Sequence, residues 1–291
     1  MKLFKNNIRL TLGNLALIAT CSVFSIFAGC QEEANDYAPQ QPAIDGFVFA
    51  DDVAPANLVA HWDFENTTKE KKSGMEGVAT NISYAEGIKG NAYKGSSNGF
   101  VTYATTPGTN LKDLNSFTTT LWIKTDRHTG GAQAVFMLPR TSDFWGNLFF
   151  TIEGNSTTDD KMLVKTHFGG QWAEFTNDLR INGIYGKWTH FAFSYDAATS
   201  KYTMYVNGTA LTIPVSMSDR KNGTAPLGNI TMTDASRFII GGFQQQLGTP
   251  WGTPDSWMLP YTGMLDEMRI YNKALAATEV GAIYKLEAKG R

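Results

Sequence analysis

The sequence predicts an all-β protein, an antiparallel β-sandwich of the jelly-roll type with one short C-terminal helix. Three observations carry that expectation. Apolar and polar residues alternate with period two in several separate runs. No helical pattern intervenes between those runs, which argues against a parallel α/β sheet. The 291 residues include 28 Gly, a turn-rich composition. With 42% hydrophobic and 18% charged residues, the chain has enough apolar surface for a large core.

The first element is an address. Lys2, Lys5 and Arg9 open the chain, residues 10–27 are mostly apolar, and Ala28 and Gly29 lead into Cys30. This is the layout of a secretory signal. Phe27-Ala28-Gly29-Cys30 resembles a bacterial lipobox, with Phe27 where Leu is usual. Residues 1–29 are therefore expected to be removed and Cys30 to carry lipid. An uncleaved transmembrane anchor is the alternative, since the apolar stretch is nearly long enough to span. Glu32 and Glu33 after the cysteine resemble the export signal of Bacteroidota surface lipoproteins, which places the protein on the outer membrane, lipid-anchored and facing outward. Residues 30–56, rich in Pro, Gln, Asp and Ala, read as a flexible tether. Residues 57–291 are then the folded domain.

Strands follow one another from Leu58. In 117–124, Phe117, Thr119, Leu121 and Ile123 point one way and Thr118, Thr120, Trp122 and Lys124 the other. In 188–195, Phe191, Phe193 and Tyr195 oppose Trp188, His190 and Ala192. A turn at 196–200 leads to a strand over 202–206, closed by Asn207-Gly208, a strong hairpin signal. Residues 237–241 and 263–271 add two strands. Val280, Ile283 and Tyr284 give 278–286 a helical spacing.

Four segments, in order, carry a family resemblance. They are Val59-Ala60-His61-Trp62-Asp63-Phe64-Glu65, the strand from Phe117 to Ile123, the run from Gly186 through Asp196 to Asn207-Gly208, and Gly263-Met264-Leu265-Asp266-Glu267-Met268-Arg269-Ile270-Tyr271. The chain resembles the laminin-G-like, concanavalin A-like lectin/glucanase jelly rolls of bacterial surface lipoproteins. That fold hosts binders and enzymes alike, so activity must be read from the site.

Composition narrows the function. Formal net charge is -2. Loss of Lys2, Lys5 and Arg9 would leave 22 basic against 27 acidic residues, or -5, a poor match to nucleic acid or sulfated glycans. Cys21 and Cys30 are the 2 cysteines, so the folded domain holds no disulfide, Cys-zinc site or Cys nucleophile. No spaced carboxylate triplet of the glycosidase kind occurs. Asp266 and Glu267 are adjacent and should face opposite sides of a strand. Glu153 reads as a lone acid, and His190 as a structural histidine.

Aromatic residues supply the positive signal. Trp62, Trp122 and Trp188 lie in strand motifs and are expected to pack inside. Trp145, Trp172, Trp251 and Trp257 sit instead among Gly, Pro, Asn, Gln and Asp, in segments that read as loops or strand ends. An indole face matches the C–H face of a sugar, and nearby polar groups match its hydroxyls. Trp145 and Trp257 are the first candidates for stacking, Trp172 and Trp251 the next, with Arg140, Asn147 and Gln171 as polar partners. The loop between Gly242 and Tyr261 is expected to be an adaptable wall. The function expected is therefore non-catalytic capture of a polysaccharide or oligosaccharide, beside an outer-membrane uptake complex. A glycosidase or lyase on the same sandwich and a protein-binding adhesin are the alternatives. No cofactor is required. The resemblance implies one structural calcium where the first and last strands meet, with Asp63 and Asp266 as its test positions, although two acids fall short of the six to eight oxygens calcium takes.

Overall fold

Alternation along the chain becomes two stacked sheets in the computed structural model, which describes residues 41–291 apart from Asn155 and Thr233. The signal segment, Cys30 and residues 31–40 lie outside the described residues. In chain order the strands are β1 (Leu58–Trp62), β2 (Val78–Thr80), β3 (Ser83–Glu86), β4 (Asn91–Lys94), β5 (Phe100–Tyr103), β6 (Phe117–Lys124), β7 (Gly131–Leu138), β8 (Leu148–Gly154), β9 (Lys161–Phe168) and β10 (Gln171–Phe175). They continue as β11 (Ile181–Asn182), β12 (Thr189–Asp196), β13 (Lys201–Val206), β14 (Thr209–Ala210), β15 (Lys221–Asn222), β16 (Ala225–Pro226), β17 (Phe238–Ile240), β18 (Met258–Pro260) and β19 (Met264–Tyr271). A single helical turn, α1 (Val215–Ser218), precedes the C-terminal helix α2 (Ala277–Glu287).

The first sheet runs β14-β13-β12-β6-β19-β4-β3, with β1 also paired to β19. The second runs β10-β9-β8-β7-β17-β5-β2, with β11 on β9 and β18 on β7. Pairing is antiparallel except for β18, which lies parallel to β7. Asn207 and Gly208, at φ 49° and 74°, make the hairpin between β13 and β14 that their sequence predicts.

The inner faces meet in an aromatic core. Phe117, Leu121 and Ile123 of β6 and Phe191, Phe193 and Tyr195 of β12 all point inward, as their alternation requires. Across the gap Phe136 stacks on Phe193 at 6.4 Å, and Trp62 on Phe238 at 4.9 Å. Trp62 and Trp122 are buried. Trp188 departs from expectation: it precedes β12 and is only half-buried, because the strand begins at Thr189.

Both outer faces are covered too. Over the first sheet, Val280, Ile283 and Leu286 of α2 pack on Ala192, Tyr205 and Tyr271. Residues 43–57 join them, which corrects the expectation of a tether through residue 56. Ala50 and Val53 are buried in this layer, two 3-10 turns shape the segment, and Lys285 pairs with Asp45 at 2.7 Å. The folded unit therefore begins at Ala43. A few apolar side chains seated beside α2 outweigh the Pro- and Gln-rich look of the region.

A buried charge cluster lies under the same cover. Arg269 donates to Glu267 at 2.6 Å, to Glu287 at 2.8 Å and to Asp51. His61 Nε2 meets Glu267 at 2.9 Å, and the Trp122 indole N–H donates to Glu287 at 2.8 Å. A bulge in β19 against β6 between Asp266 and Arg269 sets this up, with Glu267 at φ 43°. Strand alternation predicts opposite faces for Asp266 and Glu267. The extra residue of the bulge instead turns both outward: Asp266 lies opposite Trp122, and Glu267 reaches His61. His190, fully buried with its ring 5.3 Å from Trp122, is structural.

Over the second sheet the cover is different. Ala132, Ala134, Met137, Phe149, Ile239, Phe243 and Met258 form a third apolar cluster, against which Trp145, Trp172 and Trp257 pack while staying half-exposed. Among the described residues no helix is long and apolar enough to cross a membrane.

Candidate functional site

The outer face of β8, β9 and β10 is built in two rows by strand register. Phe149 lies opposite His167, and His167 opposite Trp172. Two residues along, Thr151 lies opposite Lys165, and Lys165 opposite Glu174. The first row is aromatic. His167 stacks on Phe149 at 4.9 Å and 7°, and Trp172 stands edge-on to His167 at 5.0 Å. The second row is charged. Lys165 Nζ pairs with Glu153 Oε1 at 2.6 Å and with Glu174 Oε1 at 3.0 Å. Burial opposes the charge on Lys165. The hydrogen bonds and charges of the two glutamates outweigh it and hold the ammonium above the ordinary lysine value.

Two segments add walls. The loop 139–147 brings Trp145 to 4.8 Å from Trp172 at 89° and to 5.8 Å from Trp257 at 46°. The segment before β18 carries Trp257, whose ring meets Phe243 at 5.5 Å. Gly131 permits this approach: at φ 154°, a Cβ there would lie 2.1 Å from the Trp257 carbonyl. The result is a cavity of about 150 Å³ with Trp145, Trp172, Trp257 and Phe243 on its walls and Glu153, Lys165 and Glu174 along one side. Phe144, 47% exposed, extends the rim 5.0 Å from Trp145.

Buried polar groups fix the loop that carries Trp145. Asp234 accepts from the Thr141 and Ser142 backbones at 3.0 and 3.1 Å and from the Asn147 amide at 3.0 Å. Burial would raise its pKa, but the Asn147 and Ser142 bonds hold it below the ordinary carboxylate value. Gln244 accepts from Arg140 N and donates to the Asp143 and Phe144 carbonyls, and Gln245 donates to Phe144 as well. A loop held this way presents its aromatic residues at little ordering cost when a ligand arrives.

The fold thus gathers Trp145, Trp172 and Trp257 and separates the other expected residues from them. Trp251 lies elsewhere, its ring 5.8 Å from the Arg237 guanidinium. Asn147 is 2% exposed, and its amide is taken by Asp234 and the Pro139 carbonyl. Gln171 neighbours Trp172 in a strand and so faces the other side, where its amide reaches the Lys221 carbonyl. Arg140 does not line the cavity; its guanidinium bonds Ser142 and pairs with Asp143. Trp172 lies at the start of β10. Glu153 is no lone acid, since it shares Lys165 with Glu174. The wall after Gly242 holds a 3-10 turn at Gln244–Leu247 and ends in β18, with no helix or strand between them. Period-two counting from Trp172 would have found Glu174, and counting from Phe149 would have found Thr151 and Glu153.

Calcium does not fit the residues the resemblance offered. Asp63 pairs with Lys71 at 3.0 Å, while Asp266 accepts from the Ile88 and Lys89 backbones at 2.9 and 3.1 Å. Each carboxylate is turned to protein donors, and among the described residues no group of three or more His, Cys, Asp or Glu side chains could hold a metal ion.

His167 gives the site a pH dependence. Burial first, then the Arg140 charge, lower its pKa from the ordinary 6.5 to about 4. The folded state therefore favours neutral His167, and its contribution is full above pH 6.5. It is lost as pH falls from 6.5 towards about 4, because the unfolded chain takes the proton first. The shift corresponds to roughly 3 kcal/mol. Urea midpoints of the wild type should fall over that interval, and His167→Phe should flatten the fall. An unchanged slope in the variant would remove His167 as its cause.

The chain belongs to the concanavalin A-like lectin/glucanases superfamily, whose family model matches residues 98–281. No curated protein matches its sequence. Several solved structures share the fold. Domain 4 of AbnA, a GH43 extracellular arabinanase of Geobacillus stearothermophilus in complex with arabinotriose, aligns at TM-score 0.51 and 20% identity, over 78% of this chain and 98% of that one. The ligand binding domain of botulinum neurotoxin serotype D, in complex with N-acetylneuraminic acid, aligns at TM-score 0.52 and 12% identity, over 81% and 52%. Trypanosoma rangeli sialidase aligns at TM-score 0.52 and 14% identity, over 80% of this chain and 33% of the sialidase.

Proposed function

We propose that this protein is a non-catalytic glycan-binding lipoprotein, anchored through Cys30 to the outer surface of an outer membrane, where it captures polysaccharide for uptake or degradation. The observation that carries this reading is the convergence of three half-exposed indoles on a cavity edged by Glu153, Lys165 and Glu174. Aromatic walls suit the C–H face of a sugar, and the charged row suits its hydroxyls. Arabinotriose and N-acetylneuraminic acid on structural neighbours agree with a carbohydrate ligand.

A hydrolase is the second reading, because two carboxylates share one pocket. Hydrolysis of a sugar bond needs one carboxyl to give up a proton. Here both carboxylates are paired with Lys165. The two readings separate on a panel of plant, host and microbial polysaccharides. The binder retains at least one of them and releases no reducing sugar. Turnover abolished by Glu153→Gln would replace the binder reading with the enzyme.

A further inference from the structure

The pocket is small, and its polar edge has a definite pattern. At about 150 Å³ it falls below the ~300–1,000 Å³ that encloses drug-sized ligands, and an apolar cavity near this size holds about one six-membered ring. Trp145 stands across Trp172 and tilts onto Trp257, so the indoles close around one another instead of lining a trough. Such an enclosure matches a single ring better than a chain laid along a row of indoles.

The charged row then selects among rings. Each glutamate gives Oε1 to Lys165, and among the described residues Oε2 of neither Glu153 nor Glu174 meets a protein donor. Lys165 Nζ lies between the two carboxylates, with N–H capacity left for a ligand. The edge of the pocket therefore reads acceptor, donor, acceptor. Two neighbouring hydroxyls on a sugar complement that order. Each gives its hydrogen to one carboxylate, and one of them accepts from the ammonium. A sugar carboxylate has no hydrogen to give, and it meets two negative groups for one positive.

We propose, building on the glycan-binding reading above, that the pocket takes one uncharged terminal or branch sugar through a pair of adjacent hydroxyls and rejects carboxylate-bearing sugars. Lys165, Glu153 and Glu174 are its specificity residues.

The test uses the whole chain and calorimetric titration with methyl glycosides of neutral pentoses and hexoses, each beside its uronate counterpart where one exists, and with N-acetylneuraminic acid. At least one neutral glycoside should bind and displace the retained polysaccharide. Its uronate partner should bind about tenfold to a hundredfold more weakly at low salt, and the gap should narrow as salt rises. The double variant Glu153→Gln/Glu174→Gln leaves Lys165 as the one charge of the row and should turn the preference towards the uronate. If that variant does not fold, Glu174→Gln alone, at a half-exposed position, should still shrink the gap. Equal affinity for neutral and acidic partners would overturn the proposal. So would a polysaccharide that depends on Trp145 yet is displaced by no methyl glycoside, a result that keeps the binder and discards the single-ring pocket. Failure to retain any glycan would discard both.

Discussion

Replacing Arg269 with methionine is expected to cost about 3–5 kcal/mol of stability, the range seen when one partner of a buried ion pair is removed. That is a large part of the ~5–15 kcal/mol that holds a typical domain together. Arg269 is fully buried and donates to Glu267 and Glu287, both fully buried as well. Without it two carboxylates remain under α2, faced by His61 and by Lys89, 3.5 Å from Glu267, and by the Trp122 indole. Burial already lifts the Glu287 pKa to about 7, with Arg269 pulling the other way. Losing that pull raises it further, so the deficit should be largest at neutral and alkaline pH and shrink as acid protonates the pair. Urea denaturation at two pH values reads both effects. Adding Glu267→Gln and Glu287→Gln should restore part of the loss, since neutral amides are cheaper to bury than unpaired charge. A loss below about 1 kcal/mol for Arg269→Met would mean the cluster is far more hydrated than its burial implies.

Trp145→Ala and Trp172→Ala should each weaken glycan binding by roughly 1–3 kcal/mol, on the scale of a base stacked on an aromatic ring. The two indoles are 4.8 Å apart and would share one ligand, so the double variant should lose less than the two single losses combined. Both side chains are half-exposed, so the stability change should stay well below that of a core truncation such as Trp62→Ala, at about 3–5 kcal/mol. Binding by titration and unfolding by urea, on the same samples, separate the two effects. A large stability loss with affinity unchanged would assign these tryptophans to the third apolar cluster alone.

The pattern of what could be read in advance follows from burial. β6, β12 and β13 pair an apolar inner face with a mostly polar or small outer one, so alternation exposed them, and Asn207-Gly208 marked the hairpin from β13 to β14. β7 and β8 gave no such signal. Phe136, Leu138 and Phe150 point into the core, while Met137 and Phe149 lie under the tryptophans, so both faces are apolar and the period disappears. The sheet that carries the site was therefore the least legible. Trp145, Trp172 and Trp257 could be singled out because indoles flanked by Gly, Pro and Asn stood outside the strand motifs. The same criterion also selected Trp251, whose local sequence matches but which packs beside Arg237. Gln171 failed as a polar partner because on a strand the neighbour that shares a face is two residues away, not one. Asn147 and Arg140 failed because Asp234, the Pro139 carbonyl, Ser142 and Asp143 engage their side chains. Residues 43–57 were missed because their anchoring depends on α2, which lies more than 200 residues further on.

In the binding reading, Trp145, Trp172 and Trp257 enclose the ligand. Indole N–H resonances of the 7 tryptophans, assigned by single substitutions and followed during titration with a retained glycan, test it directly. Shifts at those three, with Trp62 and Trp122 unmoved, are the expected result. Shifts confined to Trp188 or Trp251, with the three pocket indoles unchanged, would put the ligand elsewhere on the sandwich and rule out the pocket as its site.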